Sequence, residues 1–268
     1  MRSALTVLNE QIKNFYLVRR LSAYEMKSSN NDNYLGILWE IINPMIQIAI
    51  YWYVFGFIMR RGDIGGDPYF PWLLAGISVW FLISPSITLG SKAIYSRLNM
   101  ISKMSFPVSV IPTYVILAKF YQHLMLLAAV IIILAFSGYP PTFYIVQLPY
   151  FLFATLAFLV SLSLITSTLT TIIRDVQMVI QSLMRVLLYL TPILWFKDKW
   201  NPAFLGEIMR ANPLYYIVEG YRSALLGHSW YLVDHYKYTL YFWVLTIVLF
   251  IIGSALHLRF RDRFVDFK

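Results

Sequence analysis

The sequence predicts an all-α polytopic membrane protein with six transmembrane helices and an N-terminal amphipathic helix on the membrane surface. Three observations carry that prediction. First, 59% of the 268 residues are hydrophobic and 13% are charged, where a soluble domain carries about 25% charged residues. So few charges cannot cover a water-soluble body of this size, which excludes a soluble enzyme, a disordered chain and a coiled coil. Second, runs almost free of charge recur, each near the length of about 20 residues that crosses a hydrocarbon core. Third, the segments between those runs alternate between basic and non-basic, as retained and translocated loops do.

The elements follow in order. Residues 3–24 do not span: Leu5, Leu8, Ile12 and Phe15 recur at helical spacing, with Asn9, Glu10, Lys13 and Asn14 between them. Such a helix lies on the inner leaflet, or docks a cytoplasmic partner as well. The first span, Ile41–Met59, carries no charge, and Arg60 and Arg61 after it are balanced by Asp63 and Asp67. The second span is Pro68–Ser91. The segment 92–105 follows, with Lys92, Arg97 and Lys103 and no acid. Its Ile94, Leu98 and Ile101 form an apolar stripe at i, i+4, i+7, suited to resting on lipid or to filling a groove on another protein.

The third span, Pro107–Phe136, is interrupted only by Lys119, and the turn residues Ser137 to Pro141 end it. The fourth is Leu148–Ile173, followed by Arg174. The fifth, Val179–Phe196, is interrupted only by Arg185. The outer segment 197–237 contains a helix that starts at Asn212-Pro213, an N-cap with proline at the first helical position, and stops at Gly227. Leu214, Ile217, Tyr221 and Leu225 form its apolar stripe, so it dips into the membrane or caps the bundle. Glu219 and Arg222 fall near the opposite face, three apart, and can pair. The sixth span, Tyr238–Leu258, leads to a tail with Arg259, Arg261, Arg263 and Lys268. Basic charge thus marks every second connection and places both termini in the cytoplasm. Residues 1–268 read as a single transmembrane domain in the cell membrane.

The net charge of +9 would suggest nucleic acid in a soluble protein. In a membrane protein it reflects retained loops, and no nucleic-acid partner is expected. Cys is 0, which excludes disulfides and thiol chemistry. No P-loop, H-E-x-x-H or G-x-S-x-G occurs, the four His are scattered, and no span holds a pair of carboxylates. No catalytic or metal-binding residues are expected. Aromatic residues make up 18% of the chain. Tyr51-Trp52-Tyr53, Phe55 and Phe57 crowd the first span, and Trp195, Phe196 and Trp200 gather near the outer end of the fifth. They form an interfacial belt or a stacking surface, on which the C–H faces of sugar rings rest. Lys119 and Arg185 either snorkel to the inner interface or face a pathway.

Four blocks carry a resemblance: NYLGILWEIINPMIQIAIYWYVFG (33–56), SRLNMISKMSFPVSVIP (96–112), IIRDVQMVIQSLMRVLLYLTPILW (172–195) and NPLYYIVEGYRSALLG (212–227). In this order they resemble the membrane (permease) subunit of polysaccharide-exporting ABC transporters for O-antigen, capsule and teichoic acid, most closely the teichoic acid translocation permeases. The resemblance implies outer re-entrant helices between spans five and six, a homodimer, and two separate ABC ATPase subunits. It implies no cofactor on this chain, with ATP and Mg on the partner subunit. The cargo it implies is a lipid-linked (undecaprenyl-diphosphate) teichoic acid polymer, with O-antigen or capsule as alternatives. A membrane-embedded glycan transferase would need convergent acids or His near one membrane face, and an ion-coupled transporter intramembrane acids or repeated halves. The resemblance also assigns roles. Ile94, Arg97, Leu98, Ile101 and Lys103 couple to the ATPase. Tyr51, Trp52, Phe55, Lys119, Arg185, Tyr189 and Trp195 line the pathway, where Lys119 and Arg185 meet the substrate diphosphate, Arg185 foremost. Tyr216, Glu219, Tyr221 and Arg222 form the outer cap.

Overall fold

The computed structural model describes residues 2–29, 33–59, 62–98, 107–195, 209 and 211–267. The described chain is helical, with no strand and one isolated bridge between Ile64 and Asp67. Among the described residues five helices are long and apolar enough to cross a membrane: Gly36–Ile58, Tyr69–Ser91, Val110–Phe136, Phe143–Ile172 and Tyr236–Phe264. They fall where uncharged length placed them, because only an α-helix satisfies its own backbone groups in hydrocarbon.

Two N-terminal helices, α1 (Arg2–Lys13) and α2 (Phe15–Ser28), form the expected amphipathic arm. Leu5, Leu8, Ile12 and Phe15 are exposed, while Ala4, Val7 and Val18 face the bundle. α3 (Trp39–Tyr51) follows one turn of 3-10 helix and continues as a π-helix over Trp52–Ile58. The connection to α4 (Tyr69–Ser91) reverses at Gly65-Gly66, whose φ of 61° and 98° suit the tight turn closed by Ile64 and Asp67.

α5 (Val110–Phe136), α6 (Leu148–Ile172) and α10 (Tyr236–Phe260) complete the long helices. Between α6 and α10 lie α7 (Val176–Leu190), α8 (Pro213–Leu226) and the short α9 (Tyr231–Asp234). α4 is the central helix, packing against α3, α5, α6, α7 and α8. In its apolar window 72% of residues are buried, against 6% in the span that contains α3. α1 and α2 pack on α10 and α5, and Glu10 pairs with Arg261 at 3.0 Å. Both termini therefore lie at one end of the bundle, opposite the end where α8 sits.

The segment expected as a fifth span, Val179–Phe196, is shorter as a helix. α7 has 15 residues, about 22 Å at 1.5 Å per residue. It stops at Leu190 because Thr191 precedes Pro192, and the ring of a proline pushes the residue before it out of the helical region. Thr191 accordingly has ψ 129°, and its hydroxyl accepts a hydrogen bond from the Asn212 amide at 2.9 Å.

Candidate functional site

Three regions hold the residues singled out from the sequence. The first is an open side of the bundle. α3 and α7 both lie on α4, yet α3 exposes Ile46, Ile50 and Trp52, and α7 exposes Met178, Val179, Leu183, Val186 and Tyr189. Arg185 is exposed on α7, and its guanidinium donates to the Ser182 hydroxyl at 3.5 Å. Tyr51 of α3 and Tyr189 of α7 lie near one another on this side. The structure thus brings Tyr51, Arg185 and Tyr189 to one side. The Trp195 indole donates to the Tyr189 carbonyl at 2.7 Å, which folds the segment after α7 back on its end. Phe55 is half-buried against the core, and Trp52 meets Phe70 edge-on with centroids 5.6 Å apart. Lys119 stands apart, in a polar pocket between α3, α4 and α5.

The π-helix at Trp52–Ile58 was not foreseen. Such wide turns are rare and concentrate at functional sites. A Cβ at Gly56 would stand 3.1 Å from ring atoms of Trp52 and Tyr69. A glycine amid five aromatic residues was the available signal.

The second region is the cap. α8 starts and stops as expected: the Asn212 side chain accepts from the Leu214 amide at 3.0 Å, and Gly227 takes φ 77°. Leu214, Ile217, Tyr221 and Leu225 are buried. Tyr221 reaches His123 of α5 at 3.2 Å, and Tyr216 reaches Tyr150 at 3.1 Å and Thr239 at 2.9 Å. The Glu219–Arg222 pair forms at 2.5 Å, but Arg222 does not face away from the bundle. It is 2% exposed and lies 3.5 Å over the Trp72 ring. Its other donors reach the carbonyls of Trp72 at 3.4 Å and Ile193 at 3.1 Å. Gly76 makes room, since a Cβ there would stand 2.5 Å from Arg222 Nε. Beside the cap, Asp67 holds His228 at 2.7 Å and accepts from the Tyr139 hydroxyl at 3.1 Å. Burial, that hydrogen bond and the charges of Asp67 and Asp63 raise the Tyr139 phenol above its usual range.

The third region is the end that carries the termini. Lys92–Ile94 form a turn and Tyr95–Arg97 one turn of 3-10 helix. Ile101 and Lys103 lie outside the described residues, as do Phe196 and Trp200. Ile94 and Leu98, expected to fill a partner's groove, are buried within this chain against Phe264 of the tail. Arg97 pairs with Glu25 of α2 and lies 5.4 Å over the Tyr114 ring. The loop leaves its polar side open, with Ser96 exposed and Lys92 half-exposed. Among the described residues no cluster of acids and histidines could hold a metal ion.

Comparison with known proteins fits this geometry. Residues 16–226 match the model of the ABC-2 type transporter family. An O-antigen export system permease protein, RfbA, of Myxococcus xanthus is 26% identical over 76% of this chain and 78% of its own. A Klebsiella pneumoniae protein of the same name is 24% identical over 94% of this chain and 95% of its own. The family match runs from α2, the second helix of the arm, through the central helix, the open side and the cap, and the chain belongs to the ABC-2 type transporter family.

Proposed function

We propose that this chain is the permease subunit of an ATP-driven exporter that moves a lipid-linked polysaccharide from the inner to the outer face of the cell membrane. Two copies enclose the pathway, and two ABC ATPase subunits bind at the cytoplasmic end, where both termini lie. The observation that carries this reading is α7. At about 22 Å it is shorter than a hydrocarbon core of about 30 Å. It also leaves Arg185 on an open side beside Ser182. A cation at mid-membrane costs about 2.5–3.5 kcal/mol when it faces lipid. A second copy and a hydrated pathway against α3 and α7 remove that cost.

The O-antigen export relatives support a glycan as cargo, and the four resemblance blocks support its finer form, an undecaprenyl-diphosphate-linked teichoic acid. ATP is hydrolysed on the partner chain. The test is export in vesicles carrying the chain, its cognate ATPase and a purified lipid-linked polymer, with teichoic acid and O-antigen polymers compared. Arg185→Gln keeps length and polarity without charge. It should leave assembly and basal ATP hydrolysis near normal and sharply reduce export. Undiminished export at matched expression would refute the pathway role of α7.

A further inference from the structure

A larger groove lies away from the open side, on the face of the bundle that the arm crosses. It holds about 810 Å³ between the arm, α5, α6 and α10, and no described residue of α3 or α7 lines it. Along α10 its lining runs from Ile251 to Trp243, about 12 Å of helix. On α5 it reaches down to Thr113, close to the start of that helix at Val110. The arm crosses the lower end. α1 packs on α10 and α2 on α5. Glu10 of α1 bonds both Arg261, just past α10, and the Ser109 hydroxyl, just before α5.

The lining is mainly apolar. Of its polar side chains, Gln11, Ser161 and Thr246 donate to the carbonyls of Ser109, Ala157 and Phe242 at 2.9, 2.7 and 2.8 Å. The Trp243 indole donates to the Tyr150 hydroxyl at 2.8 Å. Such a surface suits a hydrocarbon chain rather than a sugar, and one leaflet supplies chains about 15 Å deep, half of a core of about 30 Å. The arm adds Leu8, Ile12 and Phe15 to the lining, and all three remain exposed. Charge gathers beside them. From Gln11 to Tyr24 the arm carries Lys13, Arg19 and Arg20 and no acid, and these cations are exposed. Lys13 directly follows Ile12. Arg19 stands one turn past Phe15 on the same face of α2.

We propose that this groove seats one anionic glycerophospholipid of the leaflet on which the arm lies, its acyl chain between α5 and α10 and its phosphate beside Lys13 and Arg19. Burial of methylenes holds the chain, and the basic side chains of the arm select the head group. A zwitterionic phospholipid brings the same chains without net charge, so the arm's cations decide between the two. The lipid-linked cargo is a different occupant. Its proposed path runs along α3 and α7, which take no part in this groove. The seated lipid fills the space between the arm and α6. It thereby fastens the arm, whose ion pairs to the bundle are open to water.

The seat is independent of the export reading, and its test needs no transport. The full chain with its ATPase is placed in phosphatidylcholine vesicles that carry a trace of phosphatidylglycerol with a photoreactive diazirine on one acyl chain. Parallel vesicles carry the same chain on phosphatidylcholine. Cross-linked residues are mapped by peptide mass spectrometry. The phosphatidylglycerol probe should label 153–161 and 243–251 about ten-fold more than the phosphatidylcholine probe. Unlabelled phosphatidylglycerol should compete it away. Lys13→Gln with Arg19→Gln should bring its yield there down to that of phosphatidylcholine. Ala157→Trp, which fills the groove, should lower labelling there by both probes and leave labelling of the exposed α3 and α7 faces unchanged. The charge variants lie on the exposed side of the arm, so their result stands whether or not Ala157→Trp folds. Equal groove labelling by the two probes would overturn the seat, as would labelling spread evenly over the groove, α3 and α7. Displacement of the probe by a polyprenyl phosphate at a level where phosphatidylglycerol fails to compete would assign the groove to the cargo lipid and overturn it too.

Discussion

Arg222→Met tests what holds the cap helix to the bundle. The wild-type guanidinium is 3% exposed as a side chain and pairs with Glu219, itself 25% exposed. It also bonds two carbonyls and stacks on Trp72. Breaking a buried ion pair by removing one partner costs about 3–5 kcal/mol. The partial exposure of Glu219 lets water reach it and holds the loss to the lower part of that range. Loss of the hydrogen bond to the Ile193 carbonyl adds to it, at about 1–3 kcal/mol for a fully buried acceptor left unpaired.

Gly76→Ala attacks the same contact from the other side. Its Cβ would stand 2.5 Å from Nε, and overpacking of this kind costs about 1–3 kcal/mol. In the double variant the flexible methionine end bends away from the new methyl. The double loss should therefore fall short of the sum by about 1 kcal/mol or more, beyond the additivity expected of independent sites. Reversible unfolding in mixed micelles measures all three variants. Amide exchange should show α8 opening more readily in Arg222→Met while α10 stays protected. An Arg222→Met protein within about 0.5 kcal/mol of wild type, or additivity of the two substitutions within the same margin, would refute the anchoring argument.

Three further outcomes are expected. Gly220→Ala should destabilise by about 1–3 kcal/mol, because the new methyl would collide with the Phe151 ring; Phe151→Leu in the same chain should recover part of that loss, and a neutral Gly220→Ala would contradict the packing. In the cysteine-free chain, Ser96→Cys should cross-link to the cognate ATPase and Leu98→Cys, buried against Phe264, should not; the reverse pattern would restore the apolar stripe as the docking face. The Tyr139 phenol should titrate above its usual value, so its contribution is complete below the unfolded pKa of about 10 and is lost as pH rises through the folded value. Asp67→Asn should bring that titration down, read from tyrosine ring carbon shifts with Tyr139→Phe as the assignment control, and an unmoved titration would separate the two residues.

What the sequence made legible was what neighbouring residues decide. Spans followed from uncharged length, and α8 from Asn212-Pro213 and Gly227, because capping acts within a turn. The Glu219–Arg222 pair followed from i, i+3 spacing. The side on which Arg222 lies did not, because it depends on Trp72 and on the missing side chain of Gly76, both on another helix. The length of α7 was half legible: Pro192 signals a stop, but an apolar run continues to Phe196 and masks it. The spacing of Ile94 and Leu98 shows an amphipathic stripe but not what covers it. Its cover is Phe264, which no periodicity in the loop could reveal. The π-helix is a packing outcome of Gly56 among aromatic rings and has no simple periodic signature.

The two ends of the bundle are fastened by chemistry of different strength. At the end that carries the termini, beside the apolar cluster of Ile94, Leu98 and Phe264, the ion pairs among the described residues include Arg97–Glu25, exposed 20% and 40%, and Arg261–Glu10, exposed 39% and 17%. Pairs so open to water hold with about 0–1 kcal/mol each and weaken further with salt. At the other end, α8 is held by a buried guanidinium and by tyrosine hydroxyls that reach α5, α6 and α10. A displacement applied at the end of the termini therefore strains the weak pairs first. α4 and the cap, joined through Arg222 and Gly76, move as one body. The helices with an uncovered side are α3, which rests on α4 and α5, and α7, which rests on α4 and α6. Relative motion of this fold is thus expected along the open side. There Arg185 and the Lys119 pocket flank the central helix, and a change of spacing at that place would alter the width of the proposed pathway without unfolding anything.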